Sequence, residues 1–149
     1  MRIVVQRVSR ACVHVDGQVA SRMGRGLLAY VAVGQDDQIA DLEYGVDKVR
    51  HLRAFIDEAG KMNLDVVQAA GEVLAVSAFT VYGDARKGRR PSFDAAAPVD
   101  RARQLFEEFC RMLSDTGVTV HRGVFRAKME VDAVNDGPIC LLLDSRRQF

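Results

Sequence analysis

Val134-Asn135-Asp136-Gly137-Pro138-Ile139-Cys140-Leu141-Leu142-Leu143 is the stretch from which the architecture is best read. Two strand-like apolar runs, Met129 to Val134 and Ile139 to Leu143, flank a predicted turn with Gly137-Pro138 at its centre. Proline fixes one torsion and removes a backbone donor, so a regular ladder cannot take up every carbonyl there. Such a turn is a shaped piece of main chain able to face a ligand. Taken alone, it also fits a plain chain reversal.

Working outward, the first fifteen residues place Ile3, Val5, Val8, Val13 and Val15 as inward candidates. Asp16-Gly17 supplies the two residues of a tight hairpin, and Gln18 to Met23 returns as its partner. Gly24-Arg25-Gly26 reads as a second turn, and Leu27 to Val33 as a strand buried on both faces. Asp36 or Asp37 is placed to cap a helix in which Ile39, Leu42, Val46, Val49 and Leu52 form one apolar stripe. Ala54 to Ile56 gives a short strand, and the run from Glu72 through Val73 to Tyr82 a longer one that turns polar at its end. A second helix starts after Pro98, with Asp100 as its cap and Ala102, Leu105, Phe106, Phe109, Met112 and Leu113 on one face, and Gly117 ends it. Val118 to Arg122, Phe125 to Val134 and Ile139 to Leu143 complete the sheet. Strands and helices do not alternate regularly, so the expected fold is α/β with a mixed β-sheet and helices packed on it, in a single domain over residues 1–149.

With 149 residues, 48% of them hydrophobic and 28% charged, the chain has the material for one real core. No run approaches the roughly 20 apolar residues of a membrane span, and no secretion signal is legible, which predicts a cytoplasmic protein. Cys12, Cys110 and Cys140 are odd in number and scattered, so they are expected to be buried thiols. His14, His51 and His121 lie at no metal-ligand spacing, and neither metal nor cofactor is expected. A net charge of +1 excludes a protein that coats nucleic acid with its whole surface, so a basic contact must be local. Arg86, Lys87, Arg89 and Arg90, around Gly88, are the candidate, with Arg146 and Arg147 as a second cluster. A solvated charged loop is the competing explanation.

Several motifs together, in order along nearly the whole chain, carry a resemblance. They are Met1 to Ala11, Gly60-Lys61-Met62-Asn63-Leu64, Ser77-Ala78-Phe79-Thr80, the basic loop running on to Pro91-Ser92-Phe93, and Asn135-Asp136-Gly137-Pro138. In these the chain resembles the D-aminoacyl-tRNA deacylases. The resemblance implies a barrel-like homodimer with helices outside, active sites at the subunit interface, and aminoacylated tRNA as substrate. It further implies a cis peptide at Gly137-Pro138, reaching into the neighbouring subunit's pocket. Ser77, Phe79 and Thr80 are then the catalytic positions. Ala78, Met129, Asn135, Gly137 and Pro138 are the substrate-binding and handedness-selecting positions, and Arg86, Lys87, Arg89 and Arg90 contact tRNA.

The chemistry admits two forms. Ser77 or Thr80 could serve as a nucleophile, but in an extended strand the two hydroxyls point to opposite faces, and no histidine is local enough to serve as base. The alternative uses main-chain N–H groups near Phe79 and Thr80 for the oxyanion and the substrate's own ribose hydroxyl to position water. Rigid backbone near the substrate's α-carbon would reject an L side chain by clash and admit glycine, making mischarged glycine a second expected substrate. The chain departs from the family's pattern at Ala78, where glutamine is common, at Cys140, where threonine is common, and at Arg126 and Lys128, which make Phe125 to Met129 more basic than usual. A nucleic-acid-binding module without turnover, and a dimer using the Gly-Pro turn for assembly alone, are the rival readings.

Overall fold

A computed structural model of the protein describes residues 1–148. The strands are β1 (Arg2–Val15), β2 (Gln18–Met23), β3 (Gly26–Ala32), β4 (Phe55–Ile56), β5 (Met62–Leu64), β6 (Glu72–Ser77), β7 (Val120–Arg122) and β8 (Glu130–Asp144). The helices are α1 (Ile39–His51) and α2 (Val99–Asp115). In the main sheet the order is β2-β1-β3-β6-β7, with β8 on the other edge of β1. Pairings among β1, β2, β3 and β8 are antiparallel, whereas β3-β6 and β6-β7 are parallel. A parallel pair needs a crossover, and the two crossovers carry α1 and α2. β2 approaches β6 and β7, so the curved sheet nearly closes into a barrel. The expected mixed α/β architecture is therefore present.

Two-residue alternation divides the apolar side chains between two cores. Ile3, Val5, Leu27, Ala29, Val31 and Ala75 pack under the helices against Val46, Val49, Phe109 and Leu113. Val8, Ala11, Val13, Leu28, Leu74 and Val76 fill the inside of the curve. β3 is thus covered on both faces, as its unbroken apolar run predicts. The Asp16-Gly17 hairpin is also present, with both residues at positive φ. Gly26, read as a turn residue, is instead the first residue of β3. A Cβ there would lie 1.9 Å from the Glu72 carbonyl oxygen, so only glycine lets β6 start alongside.

Several boundaries differ from expectation for physical reasons. α1 is preceded by Gln38, whose N–H donates to the Asp41 carboxylate (2.8 Å), and Ile39 is 50% exposed and outside the stripe. Asp37 does not cap the helix because it is buried against the amino group of Met1 (2.6 Å) and accepts the Gly34 N–H (2.7 Å). Ser145 Oγ also meets that amino group (2.6 Å) and donates to Asp41, while Arg146 lies 3.4 Å from Asp41. Arg146 is exposed, and its guanidinium also donates to the Asp36 carbonyl (2.8 Å). Pro98 takes the N-cap place of α2, leaving Asp100 in the first turn, where a carboxylate suits the helix dipole. Phe125 to Met129 is not strand. The Ala127 N–H closes a turn on Val124 (3.2 Å) with Arg126 at φ 65. Among the cysteines Cys110 is buried, and that burial pushes its thiol up to about 12, but Cys140 is exposed, contrary to expectation.

Candidate active site

The run from Val73 to Tyr82 is not one strand. β6 ends at Ser77, the Ala78 N–H makes a last ladder bond to the Val31 carbonyl (2.9 Å), and Phe79–Tyr82 winds into a 3₁₀ turn. Tertiary packing overrides the β-propensity of Thr80 and Val81 here. Tyr82 is buried beside Gly34, where a Cβ would meet its hydroxyl at 2.6 Å, and Arg2 lies over its ring at 4.7 Å. The first N–H used inside the turn is that of Val81, donated to Ala78 (3.1 Å). The N–H groups of Phe79 and Thr80 precede it and have no acceptor within the turn. Opposite-face alternation between Ser77 and Thr80 no longer applies, since Thr80 lies in the turn.

Phe79, 55% exposed, meets Phe93 edge-on with ring centroids 5.1 Å apart. Together with Ser77, Phe125, Arg126 and Met129 these rings line a cavity of about 420 Å³. That volume suits a small organic group. A larger groove of about 570 Å³ runs between α2 and β7, but its charged ends Glu108, Arg111 and Asp115 pair with one another and offer no apolar seat.

Gly137-Pro138 lies elsewhere in the protomer, and its setting corrects the turn reading. β8 is one continuous strand along β1, in which Gln6 faces Cys140 and Val8 faces Asn135. Asp136 to Ile139 therefore stand opposite Arg7 alone, as a bulge and not a reversal. The Gly137-Pro138 peptide is cis and Gly137 has φ 127. Asn135 Nδ2 ties the base of the bulge by donating to the carbonyls of Arg7 (2.9 Å) and Ile139 (2.8 Å).

Arg7 braces the bulge from inside. Only 4% exposed, it donates to the Ala54 carbonyl (2.6 Å) and the Asp136 carbonyl (3.2 Å), and pairs with the Asp136 carboxylate (3.0 Å). Sequence reading missed it, although Arg7 falls in phase with the inward Ile3 and Val5, and a cation in phase with a core is a signal. Arg7→Met is expected to cost about 1–3 kcal/mol by leaving buried carbonyls unpartnered. Urea unfolding measures this, and an unchanged midpoint would remove Arg7 as the brace.

The structure thus brings Ser77, Phe79 and Met129 to one cavity, with Ala78 and Thr80 in the same segment. It leaves Asn135, Gly137 and Pro138 at the Arg7 corner, outside the lining of that cavity. The basic loop is closed by reciprocal bonds between Asp84 and Ser92 (2.8 and 2.9 Å) and reaches the cavity through Phe93. Arg86 forks onto Asp84 (2.9 and 2.6 Å), and this hydrogen bonding holds the carboxyl well below its usual range. Lys87, Arg89 and Arg90 are exposed and make no ion pair among the described residues.

Comparison with known proteins follows the same geometry. The family model described as D-Tyr-tRNA(Tyr) deacylase matches residues 4–144. A D-aminoacyl-tRNA deacylase of Anaeromyxobacter dehalogenans is 56% identical, and one of Koribacter versatilis 54% identical, each over the full length of both chains. The solved structure of a c-Myc DNA unwinding element binding protein superposes with a TM-score of 0.92 at 36% identity, covering 97% of this chain and 98% of that one.

Proposed function

This chain belongs to the D-Tyr-tRNA(Tyr) deacylase family and is a D-aminoacyl-tRNA deacylase, and from that premise we propose how it works. Water attacks the ester carbonyl, the bond to the ribose oxygen breaks, and the released hydroxyl regains a proton, leaving tRNA and a free D-amino acid. The N–H groups of Phe79 and Thr80 receive the developing oxyanion. A donor so placed contributes about 3 kcal/mol in the transition state. The neighbouring ribose hydroxyl positions the water, so no side-chain nucleophile is required. The observation that carries this reading is the early exit from β6, which leaves the Phe79 and Thr80 N–H groups without an acceptor in the turn and puts Phe79 on the wall of an apolar cavity.

Handedness is selected by Gly137 and Pro138 of a second copy. This arrangement is supported by their separation from the cavity within one protomer. It is supported too by the apolar surface beside them, where Leu142 is 60% exposed and Val134 and Leu141 are also exposed on a strand paired along one edge only. The protein acts as a homodimer in the cytoplasm, with Lys87, Arg89 and Arg90 against tRNA phosphates, and proofreads translation by rejecting L-esters while clearing D-esters and mischarged glycine. Among the described residues no helix is long and apolar enough to cross a membrane.

Matched D-tyrosyl-, glycyl- and L-tyrosyl-tRNA incubated with purified protein test this. The first two are expected to be hydrolysed and the third spared. Equal release of D- and L-tyrosine would end the selection argument. Thr80→Ala is expected to keep kcat within about tenfold of wild type, since the amide remains. Complete loss with fold and tRNA binding intact would make Thr80 the nucleophile instead.

A further inference from the structure

Arg126 holds φ 65, a left-handed conformation that an arginine adopts at a cost glycine does not pay. Its side chain lines the mouth of the cavity that contains Ser77 and Phe79. Beside it, the ring of Phe125 packs at a tilt against Phe106, centroids 6.1 Å apart, and carries the guanidinium of Arg103 at 4.7 Å. Lys128 follows two residues later. Arg103, Arg126 and Lys128 are all exposed, and none forms an ion pair among the described residues. Arg126 lines the cavity, Lys128 stands between its lining residues Ala127 and Met129, and Arg103 lies on the lining ring of Phe125, while the exposed ring of Phe79 is on the same wall. That combination matches what a single-stranded nucleic acid end requires: charge for the backbone and an aromatic surface for the bases.

We propose that Arg103, Arg126 and Lys128 form a second phosphate-binding rim, separate from the Lys87 to Arg90 loop, which grips the backbone of the single-stranded end of the tRNA as its terminal ester enters the cavity. The proposal rests on the deacylase reading given above. Backbone strain at Arg126 makes it separable from a structural role, because relieving the strain and removing the contact have opposite signs.

Arg126→Gly, Arg103→Gln and Lys128→Gln are compared with wild type in hydrolysis of D-tyrosyl-tRNA across a salt series, with Tm recorded for each. Each phosphate contact to a single strand contributes about 0.7 to the slope of log affinity against log salt. Arg126→Gly is expected to raise KM roughly fourfold near physiological salt and to flatten the slope by about 0.7. Its Tm is expected to stay level or to rise by about 2–4 °C as the left-handed residue becomes glycine. The triple variant should lose about 2 from the slope. Active wild type with variants that retain its KM and slope would overturn the rim alone. Inactive wild type would overturn the deacylase reading, and the rim with it. A fall in Tm that tracks the kinetic loss would reassign Arg126 to structure.

Discussion

Gly137→Ala is expected to cut kcat/KM for D-tyrosyl-tRNA by about 100-fold, because a misplacement near 1 Å at a positioning element costs that much. A Cβ at this position would lie 2.7 Å from Ile139 Cγ1, 2.9 Å from the Ile139 nitrogen and 3.0 Å from Arg7 Nη2. None of these neighbours can yield easily. Ile139 is in the same bulge, whose base Asn135 ties, and Arg7 is buried and fixed to Ala54. At φ 127 an L side chain is strained whatever the space around it, so the corner itself must move. On the proposed mechanism that movement takes the handedness gate out of register, and the D-to-L ratio falls along with the rate. Steady-state hydrolysis of both esters, with circular dichroism to verify the fold, provides the readout. A variant with wild-type rate and selectivity would mean that the corner has no part in the chemistry.

Asp37→Ala should produce the largest loss of stability, about 3–5 kcal/mol, as expected when one partner of a buried charge pair is removed. Its carboxylate accepts from the Met1 amino group and from the Gly34 N–H, and both donors are buried. Removing it strands the Gly34 N–H and leaves the Met1 ammonium, at the entry to β1, with Ser145 Oγ and the more distant Asp41 as its remaining partners. Asp36→Ala, one residue earlier and exposed, is the control, expected to fall within about 0.5 kcal/mol of wild type. Chemical denaturation of both variants decides the matter. Equal midpoints would show that water replaces the lost carboxylate.

Local patterns were readable where neighbours in sequence are neighbours in space. The Asp16-Gly17 hairpin, the doubly covered β3 and the apolar stripes of α1 and α2 all follow from short periods in the chain. What escaped were features set by distant partners. The bulge at Asp136 to Ile139 exists because β8 must stay in register with β1 on either side of Arg7, and nothing in the decapeptide itself reveals that. β6 stops at Ser77 because Val31 offers the last ladder carbonyl and Tyr82 is drawn in beside Gly34, overriding a run that favours extension. Asp37 looked like a helix cap until the Met1 amino group claimed it. The candidate site shows the same division. Ser77 through Thr80 and the Gly-Pro pair were visible as motifs, and the resemblance already implied that the pair serves a neighbouring subunit's pocket, whereas Arg7, a cation in phase with the inward Ile3 and Val5, went unread because its carbonyl partners lie far away in sequence.

β1 occupies the middle of the sheet, yet among the described residues one of its two edges is covered only by β8. β1 therefore stays half dressed until a strand far along the chain joins it. Pairings so distant along the chain are slow to form. β1 meets β2 and β3 across short connections, whereas the bulge over Arg7 comes from a partner 129 residues away along the chain. On the proposed mechanism, the handedness gate is thus completed by the longest-range pairing of the sheet, and its integrity reports on the whole fold.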